Sequence, residues 1–227
     1  MAIKHRAVLA EDKQERHHAI LDAAARLMVR SPERVANVAE VADEAGLAKG
    51  TVYLYFPSKE ELFLALHERN AAAFFEAMIG RLAEPEPVTL DFMLALTRRH
   101  MVDNPLYLPL ATRCFGLLAA PMPSDAGAAF MQRMAARMRD AGAGLERHFP
   151  ALPPGGGVAL LRRSYALIVG LWQLSSVQAG EGAGSPGCPA GQFDYADELG
   201  AALAALWEGT IGRRVPAVSA LAAHQEA

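Results

Sequence analysis

Five side chains that could serve a polyanion fall close together in this chain: Lys49, Thr51, Tyr53, Tyr55 and Lys59. Lysine ammonium groups and tyrosine hydroxyls donate hydrogen bonds to phosphate oxygens. A threonine can meet a base edge or a thymine methyl. Gly50 would let a helix backbone come close to its target. From Gly46 to Lys59 there are two lysines and no acids. The same spacing has a plainer reading, a small amphipathic helical pair whose tyrosines are half-buried packing residues. The order of the surrounding features favours DNA.

Those features start upstream. Asn37 with Glu40 forms a capping box for a helix over about 38–45, and Val38, Val41, Ala42 and Ala45 make its inward face. Asn37 is also a candidate phosphate contact at the start of that helix. Gly46 stands where the chain must reverse, and glycine takes a left-handed backbone at little cost. A short helix follows over 49–55. Val52 and Phe56, four apart, point inward, which leaves Lys49, Thr51, Tyr53 and Tyr55 more or less outward. Pro57 stops the helix. Ser58 caps the next one, with Glu61 completing a second capping box. Capped helix, turn glycine, short helix and proline stop, in that order, describe a helix-turn-helix whose second helix enters a major groove. Lys49 and Thr51 would approach base edges. Tyr53, Tyr55 and Lys59 would hold phosphates, Lys59 from the first turn of a long helix, where backbone amides attract anions.

The run from Val38 to Lys59, with its AG-x-x-KGT-x-Y-x-YF-x-x-K pattern, resembles the N-terminal domain of the tetracycline-repressor (TetR) family. The resemblance covers roughly the first third of the chain. It departs from the family pattern at Ala36–Asn37, where threonine and then serine or threonine are usual, and at Ala48, where serine is frequent.

Composition sets outer limits. The chain has 227 residues, 52% hydrophobic and 7% aromatic, rich in Ala, Leu and Met, which favours helices. A net charge of −3 excludes a basic nucleic-acid coat. Residues 1–60 carry nine Lys/Arg and nine Asp/Glu, so any DNA surface must be a local basic face. Cys114 and Cys188 give neither metal spacing nor a disulfide framework. Cys114 reads as a buried thiol, and Cys188 lies in a Gly/Pro loop. His17 and His18 are adjacent on a helix, do not face one another, and read as surface residues rather than ligands. No metal and no cofactor are expected. No apolar run approaches the roughly 18 residues needed to cross a bilayer, and the N-terminus lacks a signal-peptide core. The expected location is the cytoplasm.

The expected fold is all-α, with about nine helices in three parts. Residues 1–58 form a three-helix DNA-binding domain, with an N-terminal arm over about 1–12 (Lys4, His5, Arg6) suited to a minor groove. Its first helix spans about 12–29. Residues 59–212 form a helical effector-binding and dimerisation domain, and 213–227 a flexible tail. The fourth helix starts at Lys59 and spans about 35 Å, a natural lever between the two domains. Further helices are expected over about 88–102, 106–119, from Ser124 or Asp125 to near His148, 158–179 and 194–211, with a flexible linker at 180–191.

A recognition helix this short reads only a few base pairs, so two copies are needed to read a palindrome. The helices at 158–179 and 194–211, with Ala166, Gly170, Ala201, Ala202 and Ala205, are the candidate dimer surface, and the resemblance implies that they pair as a four-helix bundle. Phe92, His100, Tyr107, Arg113, Met131, Met134, Met138, Tyr165 and Trp172 are candidate lining for an adaptable apolar pocket. A methionine stripe is more often plain core, and what favours a pocket is that members of the resembled family usually bind an effector there. The reading is a ligand-responsive repressor of double-stranded DNA. The alternatives are a regulator without an effector and a helical enzyme. Against an enzyme, the chain has no nucleophile–base pair, no HExxH helix, no Gly-rich phosphate loop and no paired carboxylates in an apolar setting.

Overall fold

Short polar residues cap the helices that begin at Val38, Lys59 and Tyr195, as the sequence implies for the first two. In the computed structural model, which describes residues 2–31, 34, 36–119, 125–180 and 193–212, Asn37 accepts hydrogen bonds from the Ala39 and Glu40 N–H groups at 2.9 and 3.1 Å. Its own N–H donates to the Glu40 carboxylate at 2.8 Å, completing the capping box. Ser58 Oγ accepts from the Glu61 N–H at 3.1 Å, and Asp194 caps the last helix through the Asp197 N–H at 3.0 Å. Among the described residues the fold is all-α, with nine helices: α1 (Ala2–Arg30), α2 (Val38–Ala45), α3 (Lys49–Tyr55), α4 (Lys59–Ala83), α5 (Leu90–Thr97), α6 (Tyr107–Ala119), α7 (Ala126–His148), α8 (Gly156–Gly180) and α9 (Tyr195–Ile211). No helix among them is long and apolar enough to cross a membrane.

Two elements differ from expectation. The backbone expected to be an arm over 1–12 is helical from Ala2 onward and continuous with α1. Its sequence, AIKHRAVLAE, holds no glycine or proline and is made of residues that tolerate a helix. The fifth helix, expected over 88–102, stops at Thr97 and continues as a π-helical turn, Arg98–Val102, closed by the Asp103 N–H donating to the Arg98 carbonyl at 2.8 Å. Of the loop expected at 180–191, Gly180 ends the helix before it and the rest, with Cys188, lies outside the described residues, as does the tail from 213.

The chain divides into two compact units, one of Met1–Glu76 with Thr97–Arg137 and one of Ala77–Leu96 with Met138–Ala227. The first unit buries Ile20, Leu21, Ala24 and Met28 of α1 with Val38, Val41 and Ala42 of α2, Val52 of α3, Phe56, and Leu62, Phe63 and Leu66 of α4. Three small helices alone bury too little surface, and this core is closed by α4 and by Leu110 of α6. Outside it, Glu44 at the end of α2 pairs with Arg26 at 2.7 Å and with Arg30. The Arg30 and Arg26 hydrogen bonds hold the Glu44 carboxyl down at about 2. These pairs are exposed and contribute little each; they join the end of α2 to α1 outside the core. Further along, Leu64, Cys114 and Phe130 join α4, α6 and α7, and Glu68 of α4 accepts from Arg133 at 2.6 Å and from Arg137 at 3.1 Å.

In the second unit α8 packs on α9. Buried Ser164 accepts from the Trp207 indole N–H at 3.0 Å and donates to the Leu160 carbonyl at 2.9 Å, so both buried polar groups are satisfied. The Tyr195 hydroxyl donates to the Ile168 carbonyl at 3.1 Å, and burial pushes that phenol up and out of its usual range. Gly142 of α7 and Gly157 of α8 bring two backbones together: a Cβ on Gly157 would lie 2.1 Å from the Gly142 carbonyl oxygen.

Candidate nucleic-acid interface

The site is built from the turn upward. Gly46 has φ 68° and ψ 31°, the left-handed region, and the Leu47 N–H reaches back to the Ala42 carbonyl at 2.9 Å. A Cβ at Gly46 would meet nothing within 4 Å, so backbone conformation and not space demands glycine there. The turn releases α3 at a fixed angle, and Val52 (fully buried) and Phe56 (4% exposed) pin it to the core. The His17 ring of α1 lies 4.8 Å from the Phe56 ring, and burial, with smaller contributions from His18 and Arg69, lowers its pKa.

With one side of α3 pinned, the rest of its surface is open. Lys49 is exposed, its ammonium 5.9 Å from the centre of the Tyr53 ring, and Tyr53 is itself exposed. This pair presents a cation and a phenol together. Thr51 is half-buried. Tyr55 is half-buried too, with its ring against the core, so it is in part a packing residue. A Cβ on Gly50 would meet nothing within 4 Å in this chain, so the glycine leaves free space rather than relieving a clash. Asn37 is exposed but its side-chain oxygen is committed to the α2 cap. Lys59 is exposed at the start of α4, with Glu60 3.8 Å away. Sequence reasoning passed over Leu54, which is 83% exposed on α3.

The candidate lining residues fall into both units. In the first, Tyr107 is buried against the ring of His67 at 5.4 Å. His100 is half-buried, its pKa lowered by burial and by Arg99. Arg113 is half-buried beside Cys114, whose thiol burial pushes up to about 12 against the opposing pull of that guanidinium. Met134 packs on Leu64, Cys114 and Phe130, whereas Met131 is exposed. In the second, Phe92 lies under the Arg81 guanidinium at 5.6 Å, Trp172 meets Tyr195 edge-on at 5.3 Å, and Met138 and Tyr165 are half-buried. His67 was missed. It is 4% exposed, and its Nδ1 is buried with no hydrogen-bond partner. Its only signal in sequence is its place four residues after Phe63 on the apolar side of α4.

Residues 20–66 match the family described as bacterial regulatory proteins, tetR family, and residues 68–214 match the tetracyclin repressor-like C-terminal domain. The chain belongs to the TetR family. Among similar TetR-family proteins, the HTH-type transcriptional repressor KstR of Mycobacterium tuberculosis (strain ATCC 25618 / H37Rv) is 32% identical over 133 residues, 55% of this chain and 60% of that one. The Fatty acid metabolism regulator protein of Bacillus subtilis (strain 168) is 32% identical over 68 residues, 30% of this chain and 35% of that one. The uncharacterized HTH-type transcriptional regulator YfiR of the same organism is 38% identical over 61 residues, 27% of this chain and 30% of that one. The chain thus spans 60% or less of these relatives. TetR-family regulators are DNA-binding proteins and not enzymes.

Proposed function

We propose that this TetR-family chain is a transcriptional repressor that binds a palindromic operator as a homodimer and releases it when a small, largely apolar effector binds. The observation that carries the DNA reading is α3 itself. It is pinned on one side by Val52 and Phe56, launched by a left-handed Gly46, and presents Lys49 beside Tyr53 to the outside. Residues 1–58 form the DNA-binding part, with Asn37, Lys49, Gly50, Thr51, Tyr53, Tyr55 and Lys59 at the duplex. Residues 59–212 bind the effector and the second subunit. The name of the Mycobacterium tuberculosis relative supports repression. The small residues left exposed on α8 and α9, Ala166, Ala201 and Ala205, together with exposed Leu174, support pairing through 158–179 and 194–211. Effector binding would then disfavour the spacing of about 34–36 Å that two recognition helices need for successive major grooves. It does so only to the extent that the effector binds the two states unequally.

The test uses the purified full chain and duplexes from the intergenic DNA beside its own gene. A retarded complex of one dimer per duplex, insensitive to excess unrelated DNA, is expected. A strictly monomeric protein, or equal retention of every sequence, would refute the proposal. Screening small molecules for those that both raise the melting temperature and release the duplex separates an effector-controlled repressor from a constitutive one.

A further inference from the structure

Among the described residues, the large hydrophobic side chain most open to solvent is Leu54, at 83%. It sits on α3, the helix that the DNA-binding reading places in the major groove. Successive residues of an α-helix are about 100° apart around the axis. Val52 and Phe56 mark the buried side of α3. Gly50 and Leu54 fall opposite them, at the crest, with Lys49 and Tyr53 on one flank and Thr51 and Tyr55 on the other. A Cβ added at Gly50 would meet nothing within 4 Å, the Leu54 side chain included, so both crest positions stand open. The crest is therefore low, apolar and unoccupied, between a flank bearing a cation and two phenols disposed around it.

We propose that Leu54 is a specificity-determining residue: its methyl groups read the 5-methyl of thymine in the major groove of each operator half-site. The inference rests on the DNA-binding reading of α3 and adds a base-level role to it. A leucine gains nothing from a phosphate and cannot pair with a base edge. The thymine methyl is the apolar group that the major groove offers. The core does not need Leu54, because the buried side of α3 is already filled by Val52 and Phe56. Flanking Tyr53 would grip the backbone and set the register, Lys49 and Thr51 would approach base edges, and the apolar crest would sort the bases between them.

The experiment selects duplexes for the full-length wild-type protein from a randomised pool. It then replaces each thymine of the best site by deoxyuridine, which removes only the methyl. Binding is followed by fluorescence anisotropy for wild type, Leu54→Ala and Leu54→Met. One thymine per half-site is expected to matter. Losing its methyl should weaken wild-type binding about three- to five-fold, the worth of one buried methyl. Leu54→Ala should show no further loss at that position, and Leu54→Met should keep most of the discrimination. If every thymine-to-deoxyuridine change affects wild type and Leu54→Ala equally, or none affects wild type, Leu54 does not read thymine. If the wild type selects no duplex at all, the DNA-binding reading falls, and this inference falls with it. Leu54 is exposed, so the alanine variant should keep its far-ultraviolet circular dichroism.

Discussion

Acid should weaken the first unit through its wholly or partly buried histidines, His67 most of all. Its ring is 4% exposed, and it is packed against Tyr107 at 5.4 Å and Phe130 at 6.0 Å. Burial lowers its pKa from 6.5 to about 4, and the Glu68 carboxylate only partly opposes this. A histidine whose folded pKa is depressed is neutral in the folded chain, while the unfolded chain already takes up a proton below about pH 6.5. Stability is therefore fully present above pH 6.5 and is lost as the pH falls towards 4. A depression of about two and a half units corresponds to about 3 kcal/mol in full, of which about 2 kcal/mol should be gone by pH 4.5. His67→Leu removes the titrating group and also an unpartnered buried nitrogen. The variant should be no less stable at pH 7, and it should lose about 2 kcal/mol less than wild type between pH 7 and 4.5. Urea unfolding followed by circular dichroism at the two pH values reads this. Both tryptophans, Trp172 and Trp207, lie in the second unit, so their emission gives an internal control. If wild type and His67→Leu weaken in parallel, His67 is not the acid-labile group, and His17 and His100, whose pKa values burial also lowers, take its place; the Glu44 pair, held at about 2, titrates below this window.

Two further outcomes check the DNA contact and the second unit. Lys59→Ala should weaken binding to all duplexes alike and reduce the slope of log affinity against log salt by about 1; an unchanged slope removes Lys59 from the phosphate backbone. Gly157→Ala would place a Cβ 2.1 Å from the Gly142 carbonyl oxygen, backbone that cannot move alone. Overpacking of this kind costs about 1–3 kcal/mol. At about 2–4 °C per kcal/mol for a chain of this size, the melting temperature read by tryptophan emission should fall by several degrees, and no change would mean that α7 and α8 do not approach so closely.

What could be read in the sequence was what is encoded locally. Asn37 with Glu40, Gly46, Pro57 and Ser58 act within a few residues of themselves, and the helix-turn-helix they imply matches the fold in element order. Burial of Val52 and Phe56 followed from their spacing on one helix. His67 shows the limit. Its place four residues after Phe63 is the one local mark of burial, and the rings it packs against, Tyr107 and Phe130, lie far along the chain on α6 and α7. The nine candidate lining residues were gathered by residue type. Type does not report which unit a side chain joins, and the structure divides them between two. Met131 was counted with Met134 and Met138, yet it is 53% exposed, because on α7 it is Met134 that packs on Cys114 and Phe130.

The recognition helix carries the same lesson at a scale that matters for function. In sequence, Val52 and Phe56, four apart, turn inward, which leaves Lys49, Thr51, Tyr53 and Tyr55 as an outward set. That remainder is not one face, because on a helix every second residue turns about 200°. Positions 49 and 53 therefore share one flank and 51 and 55 the other. Tyr55 duly packs on the core while Tyr53 stands in the open. The position that points straight away from Val52 and Phe56 belongs to Gly50 and Leu54, neither of which has a polar side chain. A search for residues that could grip phosphate finds the flanks of a recognition helix. Its crest is set by angle alone, and here the angle puts a leucine there.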